Sequence, residues 1–183
     1  NGWGDKAALA AFASKCDVVT WEFENVPLSA VAAIPDNLLV PHPRALETAQ
    51  DRLKEKRFVE GLGGKPAPYA PVDSESDLAA AVERIGAPGI LKTARDGYDG
   101  KGQWRIASPP DAESFRFPGK PCVYEGMVEF DAEFSVILVR DADGEVRFWD
   151  SAQNAHSGGM LVTSTLPASN LIQGQVAAAR DIA

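Results

Sequence analysis

The sequence predicts an α/β opening followed by a region of helices and antiparallel hairpins, and three observations carry that expectation. Across residues 1–42, short apolar runs alternate with helical patterns, as they do when crossover helices join parallel strands. Residues 89–106 place a strand-like run on each side of a glycine-rich, charged connection. From residue 133 a largely apolar run returns through Asp143-Gly144 as a second hairpin.

Asp5 predicts the cap of a helix reaching about Lys15, with Leu9, Phe12 and Ala13 at apolar spacing. Residues 17–21 read as a strand that runs into Glu22-Phe23-Glu24-Asn25. Pro27 then opens a short helix over 28–34, and residues 38–40 read as a second strand. Glu22, Glu24 and Asn25 therefore fall at the carboxyl end of a strand, where open α/β sheets collect ligands. A solvated acidic loop has the same composition. A helix is predicted from Gln50 to Phe58, closing near Gly61, and the glycine- and proline-rich residues 63–71 read as a connection. Ser74 predicts the cap of a helix whose stripe is Leu78, Ala81, Val82 and Ile85, and Gly86 and Pro88 stop it. Beyond the first hairpin, Pro109, Pro110, Pro118 and Pro121 predict a linker. Cys122-Val123-Tyr124 reads as a strand ending in residues 125–128, residues 133–140 as one further strand, and residues 169–183 as a final helix. A domain boundary is expected in the proline pair at Pro41 and Pro43, dividing the chain into 1–42 and 43–183.

The 183 residues carry a net charge of −8 and are 45% hydrophobic, which suits one or two compact domains. The acidic balance argues against a general nucleic-acid partner, and no apolar run approaches the ~18 residues of a membrane span. His42 and His156 stand far apart, which rules out a histidine-rich metal site, and Cys16 and Cys122 follow no metal or redox spacing, so the expectation is two buried free thiols. Asn1-Gly2-Trp3-Gly4-Asp5 shows neither the basic nor the apolar part of a secretory signal, and a cytoplasmic location is expected.

Chemistry concentrates at the first hairpin. Gly97, Gly100 and Gly102 alternate with Tyr98, Asp99 and Lys101, while Lys92 ends the incoming strand. Such a tip presents backbone N–H groups and lets the chain approach a polyanion closely, because glycine has no Cβ. Neither the phosphate-loop nor the dinucleotide spacing is met, and an ordinary surface hairpin has the same composition.

The strings W-E-F-E-N-V-P, Q-D-R-L-K-E-K, L-K-T-A-R-D-G-Y-D-G-K-G-Q, Y-E-G-M-V, D-A-E-F-S-V and N-A-H, in that order, resemble the 5-(carboxyamino)imidazole ribonucleotide synthase family of ATP-grasp enzymes. The similarity runs along almost the whole chain. It implies a fold of α/β and α+β class: a partial ATP-grasp domain preceded by the end of a small parallel α/β domain. The implied reaction is ATP-dependent carboxylation of 5-aminoimidazole ribonucleotide by bicarbonate, with ATP and Mg²⁺ as cofactors and no partner beyond these small molecules except a homodimer mate.

The resemblance also implies roles. Arg52 and Lys92 reach the nucleotide phosphates. Gly97, Tyr98, Asp99, Gly100, Lys101, Gly102 and Gln103 form the flap over them. Glu125, Gly126, Met127 and Val128 present backbone to the adenine edge, Glu133 accepts from the ribose hydroxyls, and His156 lies in the nucleotide site. Lys92, Lys101 and Mg²⁺ would stabilise the transferring phosphoryl group, while Tyr98 and Glu24 would face the imidazole substrate. Each role has a bland counterpart: Arg52 as a helix-surface charge, Glu133 as the solvent face of a strand, His156 as a half-buried histidine. Asp96 departs from the family, whose loop usually carries glycine there. The family's first glycine-rich strand and its acidic metal ligands do not occur in the sequence, so the resemblance implies an internal fragment with no metal site within the chain. Another ATP-grasp carboxylate-amine ligase and a non-catalytic nucleotide-binding fragment are the alternatives.

Overall fold

The structure is a computed structural model that describes residues 2–97, 101–158 and 160–183. Helix α1 (Lys6–Ala13) begins where Asp5 accepts a hydrogen bond from the Ala8 N–H. The two segments expected as strands before residue 42 do not extend into a sheet. Val19 and Leu39 meet as a single parallel bridge, with Val19 N–H donating to Leu38 O at 2.7 Å and Val40 N–H to Val19 O at 3.0 Å. Residues 36–38 instead wind into a 3₁₀ turn (Asp36–Leu38), and the predicted helix over 28–34 shortens to α2 (Leu28–Val31). Among the described residues this pair finds no third strand to extend its ladder. Ala13, Val19, Val26, Ala30, Val31, Leu39 and Leu46 form one core, whereas Phe12, expected on the buried face of α1, is exposed, as are Val18 and Val40.

Leu46 belongs to α3 (Pro43–Ala49), a helix the sequence reading missed because the proline pair at its start, Pro41 and Pro43, reads as a boundary. Pro43 sits at the first helical position, where a missing N–H removes no bond. Helix α4 (Arg52–Gly61) follows at once, capped by Asp51, whose carboxylate accepts from the N–H groups of Leu53 and Lys54.

A second core lies under a four-stranded antiparallel sheet ordered β1 (Tyr69–Val72), β4 (Cys122–Gly126), β2 (Gly89–Thr93), β3 (Gln103–Ile106). Strand β1 falls in the stretch expected as connection; Pro71 is tolerated there because β1 is an edge strand. Helix α5 (Glu75–Ile85) starts at the predicted cap, Ser74 Oγ accepting from Asp77 N–H, and buries Leu78, Ala81 and Val82 against the sheet. The expected proline linker contains α6 (Pro109–Ser114) instead: prolines fit a first turn, and Asp111 accepts from the Ala107 N–H and the Ser108 hydroxyl to fold it.

The run 133–140 divides into β5 (Glu133–Ser135) and β6 (Leu138–Arg140) because its halves find different partners. Strand β6 pairs with β7 (Val146–Phe148) across the Asp143-Gly144 turn, while β5 pairs with β8 (Ala152–Ser157), itself joined to β9 (Met160–Thr165). The final helix is likewise two, α7 (Asn170–Gln173) and α8 (Val176–Ile182), separated at Gly174-Gln175. Cys122 is fully buried, and burial pushes its thiol up to about 11, so it stays protonated at neutral pH; Cys16 is half-buried, and both are free.

Candidate active site

Strand alternation sends Lys92 to the opposite face from buried Leu91 and Thr93. Glu125, on the neighbouring strand β4, shares that face. Its two carboxylate oxygens each hold a different cation: Oε2 accepts from Lys92 Nζ at 2.9 Å, and Oε1 lies 3.3 Å from Lys56 Nζ. The side chains are only 23%, 13% and 15% exposed for Lys92, Glu125 and Lys56, so solvent screens these pairs weakly. Lys56 also stands 5.5 Å from the centroid of the Tyr69 ring. Lys56 was not singled out from sequence, although a signal existed: it lies four residues after Arg52, on the same face of α4.

Arg52 takes up a different set of partners. Its backbone N–H donates to Ala94 O at 2.9 Å, Nη1 to Thr93 O at 2.8 Å and Asp96 O at 2.7 Å, and Nη2 to Gly97 O at 3.4 Å. The guanidinium thus braces the root of the first hairpin. Asp96, at the family's usual glycine position, adopts φ +60, and its carbonyl is one of those Arg52 holds. Gly97 and Gly102 have positive φ, and a Cβ on either would meet Thr93 Oγ1 at 3.0 or 2.9 Å. The stem closes only because both are glycine. Lys101 is exposed, and Gln103 pairs with Lys92 across the β2–β3 ladder. Tyr98, Asp99 and Gly100 lie outside the described residues.

Beyond Glu125 the chain leaves the strand. Gly126 N–H donates to Pro68 O and Met127 N–H to Pro88 O, whereas Val128 N–H has no partner among the described residues. Met127 and Val128 are exposed. The second small sheet brings together Glu133 and His156, with Oε1 to Nδ1 at 3.3 Å, both partly exposed. Glu24 lies in an irregular loop whose carbonyls, with that of Val26, accept from Gln50 Nε2 at 2.6 Å each. Glu55, one turn along α4 from Asp51, reaches solvent yet has its carboxyl raised, first by partial burial and then by the charge of Glu24. Among the described residues no three His, Cys, Asp or Glu side chains gather closely enough to hold a metal ion, and no helix is long and apolar enough to cross a membrane.

A family model described as the ATP-grasp domain matches residues 57–183, and one described as the ribonucleotide synthetase preATP-grasp domain matches residues 1–50. A Brucella melitensis protein named N5-carboxyaminoimidazole ribonucleotide synthase is 46% identical over 181 residues, covering 96% of this chain and 50% of that protein. A Pseudomonas aeruginosa protein of the same name is 40% identical, covering 93% and 48%. The chain spans about half the length of the curated relatives it matches. Among solved structures, the N5-carboxyaminoimidazole ribonucleotide synthetase of Thermus thermophilus superposes with a TM-score of 0.81 at 37% identity, covering 100% of this chain and 51% of that one. The Staphylococcus aureus N5-carboxyaminoimidazole synthetase complexed with ADP gives 0.89 at 29% identity, covering 100% and 49%. The match of the ATP-grasp model to residues 57–183, well over half of the sequence, places this chain in the ATP-grasp family.

Proposed function

We propose that the protein carrying this chain is a 5-(carboxyamino)imidazole ribonucleotide synthase. In that reaction a bicarbonate oxygen takes the γ-phosphoryl group of ATP, releasing ADP. The amine of 5-aminoimidazole ribonucleotide then attacks the carboxyl carbon. The new C–N bond replaces the C–O bond to phosphate, which leaves, and the amine gives up a proton. Carboxyphosphate reacts readily with water, so the site must exclude it while holding the acceptor close.

The observation that carries this reading is Lys92, held at the end of β2 by Glu125 beside the glycine-bounded hairpin root. A fixed ammonium there meets a polyphosphate without reorganising. Lys101 adds charge from the flap, in which Tyr98, Asp99 and Gly100 are included on the resemblance alone. The unpartnered Val128 N–H is the donor available for an adenine edge, and Glu133, steadied by His156, suits a ribose diol. Glu24 faces the acceptor. The relatives' names and the solved ADP complex support the substrate class. The described residues do not supply a magnesium ligand set, and no step here passes through one. Units 1–42 and 43–183, a homodimer and a cytoplasmic location belong to the same proposal.

The test follows phosphate release from ATP and bicarbonate by a full-length protein carrying this sequence, with and without 5-aminoimidazole ribonucleotide. Release that requires the ribonucleotide is expected; release indifferent to it points to another ATP-grasp acceptor and overturns the assignment. Lys92→Ala is expected to weaken ATP binding by roughly 1.5–3 kcal/mol, the scale of a charged hydrogen bond, as read by calorimetric titration. An unchanged affinity removes Lys92 from the phosphate site.

A further inference from the structure

Three consecutive residues at the α3–α4 junction, Gln50 to Arg52, tie together two segments far apart in sequence. Gln50 Nε2 donates to both Glu24 O and Val26 O at 2.6 Å, closing loop 24–26 onto the end of α3. Asp51 caps α4 with Oδ1, while its Oδ2 accepts from Arg95 Nε at 3.2 Å. Arg52 holds the carbonyls of Thr93, Ala94, Asp96 and Gly97 at the flap root. Between the two held segments lies a cleft of about 320 Å³ bounded by Asn25, Gln50, Arg95 and Asp96.

We infer that Gln50 is a positioning residue for the acceptor substrate, setting loop 24–26 in register with the flap root that Arg52 braces. The inference rests on the proposed carboxylation and adds to it a determinant of acceptor binding. A carboxamide is the group this geometry demands: its two N–H bonds satisfy two carbonyls at once, whereas a carboxylate of the same shape turns lone pairs on both. Loop 24–26 otherwise lacks regular structure, so without this strap its orientation toward the flap is lost more readily than its fold. The consequence falls on the acceptor and on coupling, not on nucleotide binding.

The experiment compares wild type, Gln50→Asn, Gln50→Ala and Gln50→Glu in the full-length protein, with thermal midpoints measured alongside. Rates are read against 5-aminoimidazole ribonucleotide at saturating ATP and bicarbonate, and against ATP at saturating acceptor. Carboxylated product is counted against phosphate released. Gln50→Ala is expected to raise the acceptor KM about tenfold, the scale of two neutral hydrogen bonds. Gln50→Glu raises it further, and Gln50→Asn, which keeps an amide of shorter reach, falls between Gln50→Ala and wild type. The KM for ATP stays within about twofold, and phosphate release exceeds product in the impaired variants. Both KM values moving together with a fall in thermal midpoint would mark a merely structural residue and overturn the inference. An acceptor KM that does not move overturns it equally. Wild-type release that ignores the acceptor is a separate result: it fells the functional reading, and this inference with it.

Discussion

Gly89 shows how a single residue limits this sheet. A Cβ there would lie 2.2 Å from Tyr124 Oη and 2.7 Å from Glu125 O, and neither neighbour can retreat. The Tyr124 ring is fully buried, its hydroxyl donates to Gly86 O at 2.8 Å, and Glu125 O is part of the β4 backbone. Gly89→Ala is therefore expected to destabilise the protein by about 3 kcal/mol, at the upper end of ordinary overpacking. The urea midpoint reads this directly, and a midpoint equal to wild type would mean the ring has room that the structure denies. In sequence Gly89 reads as the opening of the first hairpin's apolar run. Its contact with Tyr124 depends on strand register, which local composition does not specify. Arg52 makes the same point: its charge was legible, but its use as a brace for backbone carbonyls required the hairpin root to be folded around it.

Among elements, the most consequential link joins helix α4 to strands β2 and β4 through Lys56, Glu125 and Lys92. Two ammonium groups share one mostly buried carboxylate, so neutralising that carboxylate leaves both cations facing each other with little water between. Glu125→Gln keeps size and one acceptor but removes the charge. It is expected to lower stability by about 1–3 kcal/mol, the range for hydrogen bonds to charged groups in a partly screened site. Chemical denaturation at low and moderate salt checks this; no change in either would show that the two lysines reach solvent on their own. Element existence was easier to read than element ends. The helix capped by Ser74 carried its own cap, apolar stripe and stop, and it formed as predicted. Strand 133–140 split because pairing partners from two different later segments competed for it. Nothing within those eight residues encodes that competition.

For the molecule as a whole, two apolar cores stand apart, one built from residues 13–46 and the other from residues 70–124, with a charged junction running along α4. Glu55 there is disfavoured in its ionised form by burial and by Glu24 and Glu125, against partial relief from Lys56 and Arg52. A carboxyl raised in the folded state binds its proton more tightly folded than unfolded. The penalty on folding is therefore present at neutral pH and disappears as pH falls below the ordinary value of 4.5. Glu55→Gln should accordingly raise the thermal midpoint at pH 7, and the gain should vanish near pH 4. A gain that persists at low pH would assign it to packing instead. By itself the sequence determined the family resemblance, the apolar stripe of α5, the caps of α1 and α5 and the pairing of the glycine-bounded hairpin. All of these are written within short stretches, where side-chain period and cap chemistry act locally. Only the tertiary structure decided that Glu125 holds two lysines, that Arg52 and Gln50 strap distant loops, and that Val19 and Leu39 make a bridge instead of a sheet. Those contacts join segments 20 or more residues apart, and their geometry follows from register and packing, which no local pattern contains.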